Sequence, residues 1–200
     1  MSDPLPENAM SRFLREDLGV SEASLSHSAE HDPDWTLVIK LHTYVEATLN
    51  FLLVKHFGDP RLEEVMANLE VMRGKLGFIK ALDLLPKEHR SFIRKFSEIR
   101  NKLAHDVKNV DFSLLSYVEG LDSGQFKELS DAVVAVMTDF IPKPTWLYRD
   151  SHSHTLRNNP RLAMLLCVAS VMTRVYDKHQ VGRILSGQPS EPSEPIPKAQ

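Results

Sequence analysis

The segment from Asp32 to His56 most restricts what this chain can fold into. Asp32-Pro33-Asp34 is a helix start, with a capping aspartate followed by proline at the first helical position. Gly58 and Pro60 supply the stop, so the pattern predicts one helix over 33–56. On that helix Val38, Leu41, Val45, Leu49 and Leu52 make one apolar stripe. Leu37, Tyr44 and Phe51 make a second, leaving a narrow polar strip at Thr36, Lys40, Thr43 and Asn50. A helix that is apolar over most of its circumference must be covered on several sides. It is expected at the centre of a bundle or against a second subunit.

The remaining segments are helical in pattern. A short helix is expected over 10–18, then a polar loop through His31, short and longer helices over 61–68 and 69–84, and one over 86–105. A weak helical stretch at 112–119 precedes a helix from Asp122 or Ser123 to about Thr138. Pro142, Pro144 and Ser151-His152-Ser153-His154-Thr155 read as loop, and Asn159-Pro160 starts a last helix ending near Leu185. No strand alternation is sustained, so the class is all-α. The expected organisation is an N-terminal tail with a short helix (1–31), a helical-bundle domain (32–185) and a disordered Pro/Ser/Glu tail (186–200).

Composition narrows the function classes. With 42% hydrophobic residues, the chain can bury a sizeable core. The single cysteine, Cys167, excludes an internal disulfide and sits in an apolar run as an expected buried thiol. That run, 162–172, is too short to span a bilayer, and the start of the chain has no signal-peptide pattern. A cytoplasmic protein without a membrane partner is the expectation. The net charge of −3 argues against a general nucleic-acid coat, but its distribution is uneven. Residues 73–108 hold ten Lys/Arg against four acids. There is no phosphate-binding glycine loop, zinc ribbon or nucleophile elbow, so neither a cofactor nor a metal is expected. His152 and His154 lack the cysteine or carboxylate support of a metal site, and His42 faces the apolar arc as a core histidine.

The basic excess coincides with Arg100-Asn101-Lys102-Leu103-Ala104-His105-Asp106. A permanent cation, an amide and an imidazole within six residues can hold a phosphate and move a proton without a metal. On the 86–105 helix, Phe92, Phe96, Ile99 and Leu103 form the core seam. Arg90, Arg94, Ser97, Asn101 and His105 are expected on the opposite face, with Arg100 at the edge of the seam. Arg100 and His105 are separated by about 140° and about 7.5 Å of rise, so one helix does not converge both on one phosphorus atom. Two facing copies could. Alternatively, Arg100 pairs with Glu46 on the central helix, and His105 is a C-terminal helix feature favoured by the dipole.

The Arg-Asn-x-x-x-His pattern resembles the signature of the HEPN superfamily, small α-helical domains that include metal-independent ribonucleases. The long apolar helix Leu37–Val54, the Leu76-Gly77-Phe78-Ile79 helix start and the motif-bearing helix end extend the resemblance over about residues 33–140. The Arg-x-x-Leu-x-His-Asp ending is also similar to the mannitol-operon repressor family. Val107 departs from the aromatic residue that many catalytic relatives carry two places after the motif histidine. The resemblance implies an endoribonuclease, of toxin–antitoxin or phage-defence type, with Arg100, Asn101 and His105 catalytic in a homodimeric cleft. Arg90, Arg94 and Lys102 would bind the RNA substrate. An antitoxin or regulatory protein is the further partner it implies. The repressor resemblance implies instead a non-catalytic transcriptional regulator or protein-interaction module.

Overall fold

The computed structural model describes residues 9–104, 111–140 and 145–185. Residues 1–8 and the tail expected over 186–200 lie outside the described residues, as do 105–110 and 141–144. Among the described residues every regular element is helical, and the protein is an all-α helical bundle.

The chain begins with α1 (Ala9–Arg12), which widens into a π-helical turn at Phe13–Asp17, and α2 (Glu22–His31). The central helix is α3 (Asp34–Phe57). A 3-10 turn at Pro60–Leu62 leads into α4 (Glu63–Asn68), and a π-helical turn at Val71–Lys75 leads into α5 (Leu76–Ala81). Then come α6 (Lys87–Ala104), α7 (Leu114–Glu119), α8 (Ser123–Phe140), α9 (Thr145–Asn158) and α10 (Pro160–Leu185).

α3 stands where its apolar circumference requires, packed against α10, α6 and α4. Leu37, Val38, Leu41, Val45, Leu49 and Leu53 are each at most 1% exposed. By length and composition α3 could cross a bilayer, but more than half of its most apolar 18-residue stretch is buried inside the bundle. Gly58 closes it in a left-handed conformation, φ 68°, donating its N–H to the Val54 carbonyl. The start differs from expectation. Pro33 occupies the cap position, and Asp32 forms an ion pair with Lys40 at 2.8 Å instead.

Several segments differ from the sequence reading. The polar stretch expected as loop before His31 holds α2, capped by Ser21, whose Oγ accepts from the Ser24 N–H. Its serine-rich sequence carries almost no apolar periodicity. Only contacts from α3 and α10 identify it. The Ser151–Thr155 segment expected as loop lies inside α9. There His152 and Leu156, four residues apart, are buried inward, while His154 is exposed. Burial pushes the His152 imidazole towards its neutral form. The helix expected over 69–84 is shorter: Leu69 and Glu70 are extended, so helical structure starts with the π-helical turn at Val71 and runs through α5 to Ala81. The 9–31 segment adds Phe13, Leu14, Leu18 and Val20 to the same core, with Phe13 against Phe51 and Tyr176.

α6 packs between α3 and α8. Its seam is buried as expected, but burial reaches further, taking in His89, Ile93 and Ser97. Ser97, expected on the outer face, is 2% exposed because α3 covers that side of the helix. α8 begins with a reciprocal cap. Asp122 accepts from the Gln125 N–H, and the Gln125 side chain accepts from the Asp122 N–H. Cys167 is fully buried, and burial raises its thiol well above the ordinary range.

Arg161, at the start of α10, joins four elements. Its guanidinium donates to the α2 carbonyls of Ser28 and Ala29, both at 2.9 Å, and to Asp34 Oδ1 at 2.7 Å. Asp34 Oδ2 accepts from the Leu114 N–H at 2.8 Å, capping α7. Asp34→Ala removes the acceptor for both a guanidinium and a helix N-terminus. It is expected to cost about 2–3 kcal/mol, from the strength of hydrogen bonds to charged groups. Urea unfolding of the two proteins side by side measures this, and an unchanged midpoint would show that the four-way junction carries no weight.

Candidate functional site

The C-terminal half of α6 carries the motif residues on a rigid base. Ile99 and Leu103 are buried beneath it, at 2% and 3% exposure. The Trp35 indole N–H donates to the Leu103 carbonyl at 3.5 Å, tying the end of α6 to the start of α3. Arg100 and Asn101 are both half-buried, and Arg100 Nη1 donates to Asn101 Oδ1 at 3.3 Å. The two side chains therefore form one unit at the helix end. His105 lies outside the described residues.

Inward of this unit runs a chain of polar side chains linking α6, α3 and the Val71–Lys75 turn. Ser97 Oγ donates to the Ile93 carbonyl at 2.8 Å and lies 3.0 Å from His42 Nε2. A hydroxyl has one hydrogen, so His42 Nε2 must be the donor in that contact. His42 Nδ1 is 3.7 Å from Glu46, and the opposite Glu46 oxygen is 3.7 Å from Lys75 Nζ. The neighbouring His42 imidazole, above all, holds the Glu46 carboxyl below its usual value, and the charges of Lys75 and Arg100 act in the same direction. Burial pushes the Lys75 ammonium the other way, downward, against the pull of Glu46.

Ser97, His42 and Glu46 have the order of a nucleophile, a base and an orienting carboxylate. The geometry does not permit that chemistry. Ser97 is 2% exposed and gives its hydrogen to a backbone carbonyl, so no substrate reaches it and no base takes its proton. The chain is a buried polar connection between helices, and His42 is a core histidine whose Nε2 meets Ser97 while its Nδ1 faces Glu46 beyond hydrogen-bond distance. It also bears on the alternative pairing of Arg100. The close contacts of Glu46 go to His42 and Lys75, while Arg100 acts on it through the local field.

The three cations expected to bind substrate are not gathered in one place on this chain. Arg90 donates to the Leu85 carbonyl at 2.6 Å and lies 3.6 Å from Asp83, holding the turn before α6. Asp83 in that turn takes a left-handed conformation, φ 47°. Arg94 is exposed on a groove of about 500 Å³ between α6 and α8, with Lys87, Ser91 and Lys95 facing Glu128 and Asp131. Lys102 stands about 18 Å along the helix from Arg90. Its ammonium lies 5.6 Å from the centre of the Tyr117 ring, on the rim of a cavity of about 320 Å³. Tyr117 and Phe112 were not singled out by sequence reasoning. An aromatic pair just beyond a basic motif is the signal that could have found them. Among the described residues no group of three His, Cys, Asp or Glu side chains is placed to hold a metal ion.

Glu46 gives the site a pH signature. A carboxylate held low in the folded state stabilises it above the unfolded value, near 4.5, and that stabilisation is lost as pH falls through the folded value. Glu46→Gln is expected to unfold more easily than wild type at pH 7, with the gap closing as pH drops below about 4.5. Denaturant titrations at a series of pH values measure the gap, and one that stays constant down to pH 3 would show that ionised Glu46 is not what holds the chain together.

No protein-family model matches this chain, and no solved structure matches its fold.

Proposed function

We propose that this protein is a HEPN-type, metal-independent endoribonuclease, a cytoplasmic toxin or phage-defence effector working as a homodimer. The observation that carries the reading is the joined Arg100–Asn101 unit at the end of α6, with the buried seam behind it. In this reading a neutral His105 imidazole takes the proton of a ribose 2′-hydroxyl, which attacks the adjacent phosphorus. The P–O5′ bond breaks, the departing 5′-oxygen takes a proton from water, and the products are a 2′,3′-cyclic phosphate and a 5′-hydroxyl. The Arg100 guanidinium binds the phosphate through two parallel hydrogen bonds and stabilises the charge on its equatorial oxygens. Asn101 holds the guanidinium in place through the contact it already makes. Because helical spacing alone would set Arg100 and His105 about 140° apart, the cleft in this reading is composite, with the two α6 ends near a two-fold axis. Arg94 and Lys102, both exposed, extend the cationic surface towards the RNA backbone.

A second reading, a non-catalytic regulator or protein-interaction module, draws on a different surface. Phe57 and Phe78 are 41% and 43% exposed, with ring centres 6.2 Å apart, and Val65 is 54% exposed. Paired aromatic rings facing water are a feature of protein-binding surfaces, for an antitoxin or another regulatory protein.

Purified protein incubated with RNA in EDTA separates the two readings. Cleavage is expected to persist and to leave 2′,3′-cyclic phosphate ends. His105→Ala should lower the rate by roughly 10²–10⁴ through loss of the proton acceptor. Arg100→Lys should also be damaging, because a point charge cannot make the two-pronged contact. RNA left intact by wild type would hand the assignment to the regulator reading. Light scattering at micromolar concentration should give a dimer, and a strict monomer would remove the basis for a composite cleft.

A further inference from the structure

The cavity beside Lys102 has a composition that the cleavage chemistry does not use. Its floor is the apolar edge of α6, Ile99 and Leu103, both buried. Its walls are the half-buried rings of Phe112 and Tyr117, 5.8 Å apart and inclined at 49°. Its rim carries the Lys102 ammonium and the exposed Ser116. At about 320 Å³ it stands at the small end of ligand pockets, the size for one planar group. A second cavity of about 220 Å³ lies on the other side and shares Ile99, Lys102 and Tyr117 with the first, so the tyrosine ring divides two recesses. The two acids at the second recess share one cation, Lys95, which is 2.7 Å from Glu128 and 3.4 Å from Glu98.

We infer that this aromatic cavity is a nucleobase subsite, receiving the base of an RNA nucleotide whose phosphate lies on Lys102. The inference rests on the proposed RNA cleavage and names the substrate contact next to it. Three observations carry it. Aromatic rings over an apolar floor accept the face of any base, and stacking of this kind is how single-stranded RNA is commonly held. Lys102 already covers the Tyr117 ring as a cation. An exposed lysine can swing from that face to a phosphate while a base takes its place. Finally, Lys102 lies in the same helical turn as Arg100 and Asn101 but about 100° round from Asn101, so an RNA strand with a base seated here passes around the end of α6 towards the Arg100–Asn101 unit.

The test uses the full chain, with AMP and ribose 5-phosphate as probes, followed by NMR of the aromatic side chains. AMP should bind about 5- to 100-fold more tightly than ribose 5-phosphate, the range expected from stacking on one base. The shifted resonances should be those of Phe112 and Tyr117. Tyr117→Leu, which keeps an apolar wall and removes the ring, should abolish the preference, while Tyr117→Phe should keep it. Lys102→Ala should weaken both probes alike. Equal binding of the two probes, or shifts confined to other aromatic residues, overturns the subsite. The RNA cleavage assay fails separately. AMP preference in a protein that cuts no RNA keeps the subsite and removes the nuclease, and cleavage without AMP preference does the reverse.

Discussion

A long helix that is apolar nearly all round cannot be left facing water, and the rest of this fold is arranged to cover α3. α10, α6 and α4 pack on it, and Phe13, from the π-helical turn near the N-terminus, closes over Phe51. Burying Leu37, Leu41, Leu49 and Leu53 in full supplies roughly 1.5–3 kcal/mol for each side chain, upper values that assume an extended unfolded chain. No single polar contact in the molecule approaches that sum.

Hydrophobic cover does not fix angles, and the polar groups of α3 supply that. At its N-terminus Asp34 takes the Arg161 guanidinium on one oxygen and the α7 N-terminus on the other, while Arg161 also holds the last carbonyls of α2. In mid-helix His42 and Glu46 reach outward to Ser97 of α6 and to Lys75. A buried ammonium beside a half-buried carboxylate adds little to stability by itself, since desolvation opposes the attraction. Its effect is on register. Lys75 meets Glu46 only if the turn before α5 sits at one height on α3.

These contacts set the position of the candidate site. The end of α6 is fixed to α3 twice, by His42–Ser97 and by the Trp35 indole on the Leu103 carbonyl. Arg100 and Asn101 emerge one helical turn beyond Ser97, half-buried and in contact. Glu46, facing the His42 imidazole and the Lys75 ammonium, also draws on Arg100 through its field, so the charge balance of the core and that of the proposed phosphate contact are linked. The outer cations take separate tasks, Arg90 closing a turn and Lys102 covering an aromatic ring.

What the sequence determined by itself was whatever depends on neighbours along the chain. The helical class, the extent of α3 up to Gly58, the buried seam Phe92–Phe96–Ile99–Leu103, the start of α8 at Asp122 and the core placement of His42 all follow from periodicity and capping, which act within about a turn or two. The tertiary structure decided what depends on residues distant in sequence. α2 and the histidine segment of α9 are helical because other helices bury and cap polar sequences with weak periodicity of their own. Ser97 is inside because a second helix covers a face that a helical wheel drawn around one seam leaves in water. The same reason brings Tyr117 to the motif. A side chain's direction on its own helix is local, but what it meets there is set by which helix packs alongside.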